Sequence, residues 1–245
     1  MMTEKIIKSK RRVQKHGEVF TPRNIVEKML DIPEIKEACE NVTATFLEPA
    51  AGEGAFLVAI LERKLNMVKD KYNEDLNQFE NFSLLALTTL YGIELLEDNA
   101  QTCVINMYEL YKDFYREQAN FHGGKMKKNV LDSAKVIISA NIEQGNFLTR
   151  KDGSGKPLVF SEWKPIQLRK NSKNIKIQRT EYTLDEIYEN VKKEAGMMID
   201  GNGQKFQQLN IFDILEEEDS TLEIRDMRYT VVPIKEVYKV EMEEM

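Results

Sequence analysis

Apolar and polar residues follow two periods along the first half of this chain, and the period switches in a regular order. Ile25, Val26, Met29 and Leu30 recur at helical spacing, with Thr21 suited to an N-cap and Pro22 to the first helical position. Thr43 to Leu47 reads as a short buried strand. A helix should start at Ala55 and run to about Lys71. Its opening, Ala55-Phe56-Leu57-Val58-Ala59-Ile60-Leu61, is too apolar for a surface helix, so it should pack on a sheet. Residues 72–80 are polar and read as a loop. Phe82 to Leu90 is a second apolar helical stretch, and Leu90 to Leu95 a strand closing on the acid Glu94. Asp98 to about Tyr115 predicts a long helix with Val104, Ile105, Tyr108 and Leu110 as core candidates. Residues 118–129 read as a surface loop, Val130 to Ser139 as a helix, and Asn141 to Leu148 as a third strand running into a turn.

Strands that alternate with helices predict an α/β domain with a parallel sheet. Beyond Arg150 the pattern changes. A polar turn over 151–156 leads to a fourth strand, Pro157 to Trp163, and then to a basic run from Lys164 to Arg179. Leu184 to about Ala195 predicts a helix, and Glu216 to Asp219 an acidic loop. Tyr229 to Pro233 and Val237 to Val240 are short strand candidates, with Pro233 arguing against a central position. The division expected is a basic arm over 1–16, an α/β domain over 17–165, and a small α+β extension over 166–245 that completes the sheet or contacts a partner.

Charge narrows the partners. A net charge of −6 argues against indiscriminate binding to nucleic acid. Two local basic stretches remain, the arm (Lys5, Lys8, Lys10, Arg11, Arg12, Lys15) and Lys164–Arg179. Each reads either as a solvated face or as a phosphate contact. Cys39 and Cys103 lack metal-ligand spacing and read as reduced core thiols, and no metal site is expected. The N-terminus has no apolar signal segment, and no apolar run approaches the roughly 20 residues that span a bilayer. The expectation is a soluble cytoplasmic protein.

The candidate chemistry centres on Phe46-Leu47-Glu48-Pro49-Ala50-Ala51-Gly52-Glu53-Gly54-Ala55-Phe56-Leu57. A strand that turns sharply into a helix over a ligand needs glycine, and the helix start offers unpaired N–H groups to an anion. A purely structural turn would use the same glycines. The dinucleotide fingerprint fails, because Leu57 stands where its third glycine belongs. Glu94 ends the second strand, placed to accept ribose hydroxyls or simply exposed there. Asn146 and Phe147 end the third, where they could hold an adenine or belong to the core.

Taken together, Val19-Phe20-Thr21-Pro22, the glycine turn, Tyr91-Gly92-Ile93-Glu94-Leu95 and Gly145-Asn146-Phe147-Leu148 form an ordered set. Over residues 17–150 this set resembles the S-adenosylmethionine-dependent N6-adenine DNA methyltransferases of restriction–modification systems. The resemblance implies a Rossmann-like S-adenosylmethionine-dependent methyltransferase fold, with S-adenosyl-L-methionine as cofactor and DNA as a partner. It puts Phe20, Thr21 and Pro22 at the cofactor's methionine end. Glu48, Ala50, Gly52 and Gly54 would surround the amino acid and sulfonium, and Phe56 and Leu95 also count among the cofactor-binding candidates. Glu94 would hold the ribose. Asn146, in place of the family's more usual aspartate, would hold the adenine together with Phe147.

The family's catalytic signature, a polar residue, two prolines and an aromatic, is absent, since the chain contains no Pro-Pro pair. The nearest stretch is Leu158-Val159-Phe160-Ser161-Glu162-Trp163-Lys164-Pro165, with Ser161 and Trp163 as divergent candidates. Three functions follow from the resemblance. One is a compact DNA adenine methyltransferase, completed by a second subunit for target recognition or catalysis. Another is a non-catalytic relative that keeps only the cofactor pocket, such as a regulatory or counter-defence protein of a phage or mobile element. The third is a methyltransferase for a smaller acceptor.

Overall fold

The computed structural model describes residues 8–199, 227–239 and 241–244. The chain opens with α1 (Lys10–His16), α2 (Arg23–Leu30) and α3 (Pro33–Cys39). The alternating part follows as β1 (Phe46–Glu48), α4 (Ala55–Lys71), α5 (Leu76–Leu87), β2 (Leu90–Glu94), α6 (Glu97–Phe121), α7 (Lys128–Asn141) and β3 (Ile142–Gln144). β1, β2 and β3 form a parallel sheet in that order, with Phe46 opposite Leu90 and Gly92 opposite Ile142. The architecture is mixed α/β, and β2 occupies the centre of this sheet with Leu90 and Ile93 fully buried.

The helices bury stripes that the sequence period sets. On α4 these are Leu57, Leu61, Leu65 and Val68; on α7 Val130, Ala134, Ile137 and Ile138; on α6 they are Cys103, Met107, Tyr111 and Tyr115, so that the expected Val104, Tyr108 and Leu110 are only partly buried and Ile105 is exposed. Each large aliphatic side chain so buried contributes about 1.5–3 kcal/mol. α4 packs on α5 and α6, and α7 on α5 and α6. Lys64 interrupts the apolar run of α4 yet is fully buried. Its ammonium bonds the carbonyls of Asn41 and Ala44, each at 2.8 Å, which ties α4 to the turn leading into β1. Burial draws its pKa down to about 8.

Several local expectations are corrected. Thr21 does not cap α2. Pro22 is the N-cap residue, without a side-chain bond, and its carbonyl accepts from Ile25 and Val26. The polar stretch 72–80 is half helix, because Asp75 caps α5 by accepting from the Gln78 N–H at 2.7 Å. Glu74 and Asp75 stay exposed, but Gln78 and Glu80, with Asn81 just after them, are buried rather than solvated. Asn81 bonds the carbonyl of Lys173 and the N–H of Ile175, and Glu80 accepts from Tyr115, Lys127 and Lys235. The loop expected over 118–129 shrinks, since α6 continues to Phe121 and α7 begins at Lys128. In the basic arm, the described part is the capped helix α1, with Ser9 at its start and Gly17 at φ 66 at its end.

The fourth strand forms but does not join the parallel sheet. β4 (Val159–Ile166) instead pairs antiparallel along its whole length with β5 (Lys176–Thr183), so the basic run Lys164–Arg179 is largely strand and connection. The helix α8 (Leu184–Tyr188) starts on a capping box between Thr183 and Glu186. It stops well before Ala195, with Asn190 in the left-handed region at φ 54. The Tyr229–Pro233 strand is split. β6 (Met227–Tyr229) pairs with β8 (Met242–Glu244), and β7 (Val232–Pro233) sits at the edge of β5, where a proline is tolerated. Ile234–Lys239 is a 3₁₀-helix rather than a strand, because Ile234 and Val237 are buried three residues apart. Val240 and the acidic loop Glu216–Asp219 lie outside the described residues. Among the described residues no helix is long and apolar enough to cross a membrane.

On β3, Glu143 is half-buried. Burial, then the charges of Glu181 and Asp152, push its pKa up to about 7, opposed by Arg179. The folded state therefore holds a proton that the unfolded chain releases near the ordinary value of 4.5. Stability should fall as pH rises from about 4.5 to about 7. Glu143→Gln should flatten this fall in thermal melts at pH 5 and pH 8, and an unchanged pH profile would contradict it.

Candidate cofactor site at the glycine turn

β1 and β2 end side by side, and the chain leaving β1 folds back over the end of β2. The Ala51 N–H bonds the Ile93 carbonyl at 2.9 Å. The backbone then passes through the left-handed region at Gly52 (φ 56) and Gly54 (φ 90), and Gly54 becomes the N-cap residue of α4. The two glycines serve different needs. A Cβ on Gly54 would stand 2.8 Å from the Cys103 sulfur, so glycine here lets α4 approach α6. A Cβ on Gly52 would stand 3.7 Å from the Phe20 ring, in ordinary contact. Cys103 is inert in this setting, its thiol pushed up to about 12 by burial and then by Glu94 and Glu48.

A cavity of about 440 Å³ lies over this turn. Four segments line it: Gly17 to Phe20, the turn through Pro49, Ala50 and Gly52, the end of β2 from Glu94 to Leu96 with Asn99, and Gly145 to Leu148. Phe20, Ala50, Gly52, Glu94, Leu95, Asn146 and Phe147 thus meet in one place. Thr21, Pro22, Glu48, Gly54 and Phe56 do not line it. Thr21 and Pro22 lead away into α2. Glu48 accepts the N–H of Ala50 at 3.1 Å, Gly54 faces Cys103, and Phe56 packs against the main core.

Glu94 is 7% exposed and bridges the lining segments. Its carboxylate accepts the Gly52 N–H at 2.8 Å, the Leu96 N–H at 3.0 Å and the Asn99 amide at 3.4 Å. A carboxylate has about four acceptor positions, so one remains for a ligand hydroxyl. The same Asn99 NH₂ group donates to Glu18 at 2.7 Å, and Arg12 closes the network by gripping both Glu18 and Asp98. Lys8 adds bonds to Asn99, Asp98 and Glu53. Arg12, then Asn99, holds Glu18 below the ordinary carboxylate range, and Arg12 with Lys8 holds Asp98 at about 2. Of the arm's described cations, Lys8 and Arg12 are therefore paired with acids rather than presented to phosphates, while Lys10, Arg11 and Lys15 are exposed.

Asn146 is used differently from a base-reading residue. Its side-chain oxygen accepts the N–H groups of Leu148 and Thr149 at 2.8 and 3.2 Å, shaping the turn after β3. Only its NH₂ group is left for a ligand. Ser161 and Trp163 lie away from this cavity. Trp163 is 6% exposed, donates its indole N–H to Asn141 at 2.8 Å and carries Arg179 over its ring. Ser161 is 2% exposed and accepts from Arg179 at 2.9 Å. In those positions Trp163 is a core residue and its ring has no face free for a base.

Sequence reasoning missed Glu18 and Asn99, and it read Arg12 and Lys8 as part of a basic arm rather than as part of this network. For Asn99 a signal existed. It heads the stripe Asn99, Cys103, Met107, Tyr111, Tyr115, spaced four residues apart, as an amide on an otherwise apolar and aromatic buried run. A polar residue on a buried stripe needs partners. Comparison of the chain with models of known protein families, with curated proteins and with solved structures returned no match.

Proposed function

We propose that the cavity at the glycine turn binds S-adenosyl-L-methionine or its demethylated product, and that the chain is a cofactor-binding protein of the DNA adenine N6-methyltransferase type. One observation carries this reading. Four segments between Gly17 and Leu148, resembling one family's motifs in order, converge on a single cavity of about 440 Å³. That volume lies in the usual range for cofactor sites, about 300–1,000 Å³. The lining suits a nucleoside bearing an amino acid. It offers two aromatic rings, a buried acid with an acceptor position left, and a turn without side chains. The parallel order of β1, β2 and β3 with helical connections supports a Rossmann-like methyltransferase fold.

In this reading Gly52 lets the chain approach the ligand, Glu94 accepts a ribose hydroxyl, and Phe20 and Phe147 exclude water. Asn99 and Glu18 hold Glu94 and the arm in register. The bound cofactor would supply an electrophilic methyl group. DNA and a second subunit are the partners proposed. A second reading, a methyltransferase-like regulatory or counter-defence protein without turnover, is favoured by the burial of Ser161 and Trp163.

Glu94→Ala should weaken S-adenosylmethionine binding by about 10- to 100-fold in calorimetry, the loss typical of a hydrogen bond to a charged group, about 1.5–3 kcal/mol. Glu94→Gln should retain part of it. Equal affinity for all three proteins would remove Glu94 from the ligand. Transfer of tritiated methyl groups to unmethylated DNA by the protein alone separates the two readings.

A further inference from the structure

β1 presents an edge that no strand among the described residues covers. Its bonds to β2 run through Phe46, whose N–H reaches the Thr89 carbonyl at 2.9 Å. Successive residues of a strand point their backbone groups to opposite sides. The N–H and C=O groups of Thr45 and Leu47 therefore face away from β2. Both residues are exposed, Leu47 at 44%. Parallel sheets are normally covered, and native edges are blunted by charges, prolines or bulges. β4, an edge strand nearby, has such protection: Lys164 and Pro165 lie within it, and the Tyr91 hydroxyl donates to the Ser161 carbonyl at 2.9 Å. On β1 the two residues facing the open side, Thr45 and Leu47, are uncharged, and Glu48 and Pro49 follow only at the end of the strand.

Beside this edge runs a groove of about 710 Å³, its apolar surface supplied by Phe46, Leu47, Tyr91, Phe160, Tyr182 and Ile187. Lysines outnumber acids around it. Lys193 pairs with Glu186 at 2.7 Å, while Lys164 and Lys192 make no ion pair among the described residues, against a single such acid, Glu162. On a chain of net charge −6 this local excess of lysine complements an acidic partner, and self-repulsion disfavours a second copy.

We propose that the groove receives an extended segment of a different protein chain, which adds as a further strand to the edge of β1 that the described residues leave open. Thr45 and Leu47 offer two N–H and C=O pairs about 7 Å apart, the repeat that a peptide backbone matches. Alternate side chains of the segment are apolar and lie on the groove surface. The intervening ones are acidic and meet Lys164 and Lys192. This gives the second-subunit reading a surface, but it stands whether or not the other cavity binds a cofactor. The two sites share a wall. Tyr91 and Phe160 line the groove, Phe147 lines the glycine-turn cavity, and all three belong to the small core around Ile93, Leu158 and Leu184.

The test uses a synthetic peptide of about seven residues, alternating valine and glutamate, the length of a typical strand. Amide exchange is followed by NMR on the intact wild-type protein. The Thr45 and Leu47 amides should exchange about tenfold more slowly with saturating peptide. Phe46, already bonded to Thr89, should change little. Methylating the peptide's backbone nitrogens in one register should abolish protection, and in the other register should leave it. A valine–lysine peptide should protect less. Three results would overturn the proposal: no protection at millimolar peptide, equal effects of both methylation registers, or protection of Thr45 and Leu47 by self-association in the absence of peptide.

Discussion

Replacing Gly52 with leucine is expected to abolish S-adenosylmethionine binding, with at least a 100-fold loss of affinity, about 2.7 kcal/mol. Two costs act together. Gly52 sits at φ 56, a conformation that costs an L-residue about 1–2 kcal/mol. Its new side chain would also start 3.7 Å from the Phe20 ring and fill the cavity the ligand needs. Gly153, with open space around it and outside the cavity, is the control: Gly153→Leu should bind normally. Circular dichroism of Gly52→Leu should show the fold retained, so that lost affinity reports on the site. Wild-type affinity in Gly52→Leu would remove the turn from the ligand.

The largest expected effect on stability belongs to Glu80→Leu. Glu80 has no solvent exposure, and its carboxylate accepts from the Tyr115 hydroxyl at 2.7 Å, Lys127 at 2.9 Å and Lys235 at 3.1 Å. It thereby ties α5 to α6, to the approach to α7 and to the 3₁₀-helix at 234–239. Removing the buried carboxylate leaves the Tyr115 hydroxyl without an acceptor and the largely buried Lys235 ammonium without its counter-charge, at about 3–5 kcal/mol. For a chain of this size the midpoint of thermal unfolding should drop by about 6–20 °C. Lys127→Ala should cost about 1 kcal/mol or less, because Lys127 is half exposed and water replaces the bond. A melting point of Glu80→Leu within a degree or two of wild type would contradict this role.

These two positions differ in how far the sequence announced them. Gly52 was legible, because an apolar strand, a two-glycine turn and an apolar helix start leave few conformations open. Glu80 was not, because it lies in a polar stretch that composition alone assigns to solvent. Its burial depends on Lys235, far along the chain, and long-range pairing leaves no local period. The same reason explains β4. Val159–Ile166 has the alternation of a strand, but alternation does not choose a partner, and β5 supplies an antiparallel one of equal length. Glu94 was legible as a strand-end acid, whereas its bonds to Gly52, Leu96 and Asn99 were not. Ser161 and Trp163 show the converse. Their position after the third motif suggested chemistry, while Asn141 and Arg179 make them part of the core.

The cofactor claim is tested most directly by titrating S-adenosyl-L-methionine, and separately its demethylated product, into the wild-type protein in a calorimeter. One saturable site per chain is expected for at least one of the two, with affinity lost in Gly52→Leu and reduced in Glu94→Ala. Absence of saturable binding of either compound at millimolar concentration, with protein that melts cooperatively, would contradict it.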